Sequence, residues 1–254
     1  MLFAPLIIKL KVLKACVINS LLYNCETFGH LIPSDLEKTY NKLLRRTLNV
    51  RSNTPALTLY VESGFLPIEA LIHARQLKFF TRYRDRALNT NTPRAQLFKR
   101  LMDESSSYIQ HYKDLCERFQ SSEEVYKSSS EEVRAKVTSL ANNNQYKYKI
   151  YLELNPNLVV SPFIENQHKL SRDVIRFRLG SHMLPIETGR WTRTVREERI
   201  CRECNVLGDE KHALFHCQSI CRDNLVLPNT LNTIWESDDV FALFEKMKEK
   251  EMLG

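Results

Sequence analysis

Cys201, Cys204, His212 and Cys217 form a C-x2-C-x7-H-x4-C run, three thiolates and one imidazole in a short stretch of chain. That donor set suits tetrahedral Zn2+. A tight Cys-x2-Cys turn presents two sulfurs to one ion, and four protein ligands leave no open position. The spacing therefore predicts one structural Zn2+. The second pair of ligands has alternatives. His212 with His216 would imitate a finger-type H-x3-H, and Cys217 with Cys221 would make an all-thiolate site. His216 and Cys217 are not expected on one ion, because adjacent side chains diverge on a helix or a strand. His212 with Cys217 is the preferred pair. Cys16, Cys25 and Cys116 lie in apolar helical stretches and read as core residues.

Before the cluster, Arg190, Arg193, Arg196, Arg199 and Arg202 recur at every third residue. On an α-helix that step drifts backwards by about 60° each time, so the five cannot share one face. Among them Arg193 and Arg196, with Arg172, Arg176 and Arg178 upstream and Arg82 and Arg84 far earlier, make the candidate set for phosphate contact. Glu187, Glu197 and Glu198 are the acids that could neutralise the later ones. Trp191 could stack on a base, although a buried position is expected of it. Thr194 with Glu197 reads as the capping box of a very short helix.

The elements that must position these residues are helical. Gly is scarce at 6 in 254 residues, and hydrophobic content is 43%, as in ordinary globular proteins. Leu6, Leu10, Leu13, Val17 and Leu21 mark an amphipathic helix from about Pro5 to Phe28. Ser34 with Glu37 signals a second, through Leu36, Tyr40, Leu43 and Leu44. Thr54-Pro55 reads as N-cap and first position of a short helix closed near Gly64. Pro67 opens the next, with Ile68, Leu71, Ile72 and Phe79 inward and Arg75, Lys78, Arg82, Arg84 and Arg86 outward. A helix follows over about Pro93–Phe119. Residues 120–145, with Ser128–Ser130 and Asn142–Asn144, read as a mobile joint holding one helical piece. Tyr146–Leu154 fits a strand or a helix. A basic helix runs through Lys169, Arg172, Arg176 and Arg178 to a turn at Gly180, and a last helix starts near Asp238 with Ser237 as N-cap.

The net charge of +7 is uneven. Residues 1–100 hold 16 Lys+Arg against 6 Asp+Glu, 161–202 are basic again, and 203–254 are acidic. Two basic regions suit a polyanionic partner, RNA or DNA, bound by phosphate neutralisation. No secretory signal is read in Met1–Ile8, and Lys9, Lys11 and Lys14 interrupt the first candidate for a membrane span. An intracellular, reducing compartment, nuclear or cytoplasmic, is the expectation, with no membrane and no small-molecule substrate. There clustered cysteines bind metal more often than they form disulfides.

Residues 178–217 carry Arg178, Ser181-His182, Leu184, Ile186-Glu187, Gly189-Arg190, Arg196-Glu197-Glu198-Arg199, Ile200-Cys201, Cys204, Asp209-Glu210, His212 and Cys217. That run resembles the zinc-binding tail of non-LTR (LINE-type) retrotransposon reverse transcriptases. Leu21-Leu22-Tyr23-Asn24-Cys25-Glu26-Thr27-Phe28 resembles the "LLYGCETW" segment found after the polymerase palm in the same family, with Asn24 for Gly and Phe28 for Trp. Leu43–Arg46 through Thr54-Pro55, and Ser63-Gly64 with Leu66-Pro67-Ile68, continue its thumb-like region. The two blocks cover roughly half the chain. The resemblance implies a mainly α protein, a thumb-like helical bundle over 1–119, a helical linker over 120–160 and a small zinc-binding α-rich domain over 161–254.

A polymerase of that family needs carboxylates that hold two metal ions, carried on an aromatic-Ala-Asp-Asp turn. No such turn occurs; Asp238-Asp239 follows Ser237 and reads as a helix start. No palm is read before Leu21. The expected function is thus non-catalytic, gripping RNA or a template-primer through basic helices. The competing reading is a structural or protein-interaction module stapled by zinc. An enzyme would require an open metal position or a nucleophile–base pair, and neither is legible.

Overall fold

A computed structural model describes residues 4–28, 32–103 and 106–253. Met1–Phe3, part of the stretch read for a secretory leader, and Glu104–Ser105, inside the expected Pro93–Phe119 helix, lie outside them. The described chain is mainly helical, and its β pairing is one antiparallel bridge between Ile200 and Leu207. No described helix is long and apolar enough to cross a membrane.

Two compact units are present: Met1–Leu10 with Leu44–Gly64 and Lys136–Gly254, and Lys11–Leu43 with Phe65–Ala135. This differs from the expected division at 119 and 160. An apolar stripe tells which face of a helix is buried, not which distant helix buries it.

The opening helix departs from its pattern for a local reason. Leu6–Val12 runs into a π-helical segment, Leu13–Ile18, before Asn19–Leu21. The wider turn rotates later residues by about one position. The buried stripe is therefore Leu6, Leu10, Leu13, Ile18 and Leu22, while Val17 is 38% exposed. Cys16 is exposed as well, contrary to its reading as core, whereas Cys25 is buried. The helix does not continue to Phe28. It breaks at Leu22–Asn24 and resumes as Cys25–Phe28, with Asn24 in the left-handed region at φ 59°. Asn tolerates that conformation best after Gly, the residue usual there in the resembled motif.

In the unit containing Phe65–Ala135, Ile68–Asn89 is the long helix. Ala70, Ala74 and Leu77 bury against Val125, with Leu66, Cys116 and Phe119 packed on the cluster. Phe80 stacks on Tyr112 at 3.9 Å. Lys78, Arg82, Arg84 and Arg86 are exposed as expected. Arg75 is half-buried instead, because its guanidinium donates to Leu22 O at 3.2 Å and to Asn19 Oδ1. The expected Pro93–Phe119 helix is two, Pro93–Asp103 and Ser107–Arg118, the second capped by Ser106 Oγ accepting from Ile109 N at 3.3 Å. Residues 120–145 are no joint: Ser122–Asn142 is a 21-residue helix. Val125, Val133, Val137 and Ala141 supply its buried stripe, and the serines fall mostly beside it.

His73 gives this unit a pH dependence. Burial, followed by the nearby His111 and Arg118, pushes its pKa down to about 4. The Glu69 carboxylate, 3.9 Å away and 67% exposed, offsets little of this. The native ring is neutral, so as pH falls below 6.5 the unfolded chain takes up a proton that the folded one refuses. Stability is lost between pH 6.5 and 4, by at most about 3 kcal/mol and less where solvent reaches the ring. Urea unfolding at neutral and at acid pH should show this loss to be smaller in His73→Asn than in the wild type.

In the other unit, Ala56–Ser63 starts one residue later than expected, with Pro55 as N-cap, and closes at Gly64, φ 71°. Tyr146–Leu154 is a helix, because Ile150, Tyr151 and Leu154 fall on one buried face. Ser171–Arg178 and Pro185–Trp191 follow. The last helix is Val240–Glu249, and Ser237 caps the turn that leads into it, its Oγ accepting from Asp239 N at 3.2 Å. Ser237 Oγ also donates to Val226 O at 2.8 Å, while Asp239 Oδ2 accepts from Val226 N at 2.7 Å.

A candidate metal centre and its surroundings

Two local structures bring the four ligands together. Ile200 and Leu207 pair across a tight turn, Cys201 N donates to Val206 O at 2.7 Å, and Asn205 N donates to Cys201 O at 2.9 Å. Asn205 takes φ 56°, which folds the chain back so that Cys201 and Cys204 face one point. On the other side Asp209 Oδ1 accepts from His212 N at 2.9 Å and starts a helical turn. That turn becomes π-helical over His212–His216, and Cys217 N donates to His212 O at 2.7 Å. The five-residue step brings the His212 and Cys217 side chains to one face.

The ligand atoms of Cys201, Cys204, His212 and Cys217 all lie within 4.8 Å of one another, placed to hold one metal ion. Cys201 Sγ and Cys217 Sγ are 3.8 Å apart. Among these residues only Cys204 is more than marginally exposed. His212 Nε2 is buried without a hydrogen-bond partner, which is costly for a polar atom unless something else satisfies it. A metal ion bound at that nitrogen would do so. Burial lowers the His212 pKa and keeps the ring in its ligating, neutral form. Burial raises the Cys201 thiol. It would raise Cys217 too, but hydrogen bonds from the Ser219 side chain and backbone and from Cys201 and Cys204 outweigh it and hold that thiol low. The alternatives fall outside the cluster: His216 is exposed, and Cys221 is exposed with its Sγ donating to Asp223 Oδ2 at 3.0 Å.

Arg222 carries no mark in the sequence and yet braces the site. Its Nε donates to Leu214 O at 3.0 Å, Nη1 to Cys217 O at 2.6 Å and Ile220 O at 2.9 Å, and Nη2 to Ala213 O at 2.7 Å. One guanidinium thus ties off the carbonyl end of the His212–His216 turn and sets a positive charge near the Cys204 and Cys217 thiols. Only a fork of five donors does both. Arg222→Met is expected to lower metal affinity by about 10- to 100-fold, as for other residues that hold ligands in place. Competition against a calibrated chelator measures it.

The arginines expected to touch phosphate divide sharply. Arg178 does not belong with them: it is 3% exposed and meets the fully buried Glu62, Nε to Oε1 at 2.7 Å and Nη2 to Oε2 at 3.2 Å. Tyr151 OH donates to the same carboxylate at 2.9 Å, and Arg178 Nη1 donates to Leu154 O at 3.3 Å. Arg176 is 13% exposed and pairs with Asp173 at 3.4 Å, which also meets Lys248 at 2.9 Å, so its guanidinium is committed inward. Arg172 is half-buried. Arg193, Arg196, Arg82 and Arg84 are exposed, with Arg84 3.4 Å from Asp85.

Other residues of the 178–217 run prove to be interior partners. His182 meets Glu210 at 3.1 Å with both side chains 1% exposed, and Tyr146 OH donates to Glu210 at 2.6 Å. Glu187, also buried, lies 3.1 Å from Lys147 and 3.3 Å from Arg190. Arg199 donates to Thr194 O and Ile186 O. Thr194 is no cap; the short 3-10 turn is Arg196–Glu198 with Val195 before it. Comparison with protein families, curated proteins and solved structures finds no match for the chain.

Proposed function

We propose that the chain is a non-catalytic nucleic-acid-binding module, stapled by one structural Zn2+ and related to the region after the palm of non-LTR reverse transcriptases. The observation that carries the metal part is the three-thiol, one-imidazole cluster with its orphaned His212 Nε2. When bound, zinc would fasten the Cys201–Cys204 turn to the His212–Cys217 turn; four protein ligands leave it no position for substrate.

The binding part is supported by cations held at the surface. Arg193 and Arg196 stand exposed just before the metal cluster, and Lys78, Arg82, Arg84 and Arg86 along Ile68–Asn89. Asn24, left-handed where the resembled motif has Gly, supports the relationship. The second reading, a structural or protein-interaction module, draws on the arginines that are spent internally, Arg178 on Glu62 and Arg190 on Glu187.

Titration of zinc-loaded protein into labelled RNA and DNA over a range of salt separates the two. A nucleic-acid binder loses affinity steeply, each phosphate contact contributing a slope of about −0.7 to −0.9 in log K against log salt. Absence of binding at low salt by folded, zinc-loaded protein would leave the interaction module.

A further inference from the structure

Trp191 was expected inside and is 46% exposed. An indole exposed to this extent offers a large, flat amphipathic face to a partner. One face is already covered. The Arg51 guanidinium lies 3.8 Å from the ring centroid, and Arg51 is itself fixed, Nη1 donating to His182 O at 2.9 Å and its backbone N to Ser181 Oγ at 3.0 Å. Arg51 is the ring's cation contact, and no other ring stacks on it among the described residues.

The chain around Trp191 is tied down by hydrogen bonds. Pro185–Trp191 ends with Thr192 and then Arg193 in the left-handed region at φ 57°, and Thr194 N donates back to Gly189 O at 2.8 Å. That helix ending favours Gly at the left-handed position. An arginine stands there instead, exposed and with no ion pair among the described residues. Arg199 locks the turn from beneath, donating to Thr194 O at 2.8 and 3.0 Å; it crosses Gly189 so closely that a Cβ there would come within 2.5 Å of its Cγ. Beside this turn Arg196 and Arg190 lie 4.8 and 5.2 Å over the Tyr146 ring. The surface therefore offers a half-exposed indole backed by a guanidinium, with the exposed Arg193 and Arg196 following it within five residues of chain. Glu187 is buried between Lys147 and Arg190, and the exposed Glu197 and Glu198 are fewer than the cations.

We propose that Trp191, backed by Arg51, is a stacking platform for an unpaired nucleobase, with Arg193 and Arg196 taking the flanking phosphates. The proposal rests on the nucleic-acid-binding reading and adds a preference to it. Base faces are available in a single strand and hidden in a duplex except at its ends, so the platform selects unpaired nucleotides. These exposed cations favour a phosphate chain over an apolar protein surface, which would bury them unpaired.

The test uses the zinc-loaded full chain, a short labelled oligo-dT or oligo-U, and a hairpin duplex with closed ends, at low salt. Wild type is expected to bind the single strand more tightly and to show quenched tryptophan fluorescence as it does so. Trp191→Ala should weaken single-strand binding by about tenfold and remove the quench, leaving duplex binding unchanged. Trp235, the other tryptophan, donates its indole N–H to Leu154 O and does not report. Trp191→Phe should restore most of the affinity. Arg193→Gly, which relaxes the backbone, should weaken both ligands alike, so its loss of binding cannot be laid to misfolding. Equal weakening of both ligands in Trp191→Ala, or weakening of neither, would overturn the platform and leave the nucleic-acid reading standing. Wild type that binds neither oligonucleotide would overturn both. Loss of self-association in Trp191→Ala with single-strand affinity intact would mark the patch as a protein contact and overturn the proposal.

Discussion

Glu62→Gln is expected to be the most damaging single change away from the metal cluster. Arg178 is 3% exposed and Glu62 fully buried, so removing the carboxylate's charge leaves a guanidinium with no counter-charge in the interior. Breaking a buried pair in this way costs about 3–5 kcal/mol. For a chain of this size that lowers the melting temperature by roughly 10 °C. Tyr151 OH also loses the charged end of its 2.9 Å hydrogen bond. Replacing both partners with apolar residues, Glu62→Leu with Arg178→Met, should recover most of the loss, because the pair's attraction mainly offsets its own desolvation. Thermal melts of the two single variants and the double variant give the coupling directly. A cost below about 1 kcal/mol for Glu62→Gln would mean that the pair is not buried as described. A phosphate-binding role for Arg178 makes the opposite forecast: little change in stability and weaker nucleic-acid affinity.

The second large effect is loss of metal. Cys204→Ser, Cys217→Ser and His212→Ala are each expected to abolish stoichiometric zinc, and His216→Ala and Cys221→Ser to retain it. In the structure His216 is exposed and Cys221 Sγ is turned to Asp223. Zinc binding to small sites of this kind carries about 10–16 kcal/mol, most of it folding free energy of the surrounding segment. The segment around Ile200–Arg222 has a single β bridge and short turns to hold it. Loss of a ligand should open it to proteolysis and leave Ile68–Asn89 intact. Full zinc occupancy after loss of His212 would shift the third ligand to His216.

Much of this was legible in the residues, and the failures have identifiable causes. Local spacing carried the four ligands, because Cys-x2-Cys and the following turn are set within a few residues. Helix positions were likewise readable from Pro67, Gly64, Gly180 and the apolar stripes. The first helix went astray at Val17 and Leu21, because a π-helical turn adds a residue that no regular period contains. Ser122–Asn142 was hidden by its serines, although Val133, Val137 and Ala141 at four-residue steps, with Val125 eight residues before them, carried the helix signal. The arginines were the hardest. Arg178 has the same neighbours in sequence as a surface cation, and its partner Glu62 lies 116 residues away; Tyr151, which binds the same carboxylate, is 89 residues from Glu62. Arg222 gave no signal, because what it binds is backbone carbonyl, which every residue possesses. Residue type favours an interior place for Trp191 over base stacking, and only the stack with Arg51, 140 residues away in the chain, explains how it is held at the surface.

X-ray absorption at the zinc K-edge of the purified full chain tests the central claim most directly. One zinc per chain is expected, with three sulfurs at about 2.3 Å and one nitrogen at about 2.0–2.1 Å, and no water in the shell. Two sulfurs with two nitrogens, a shell containing oxygen, or a protein that folds and binds nucleic acid with no metal at all would contradict it.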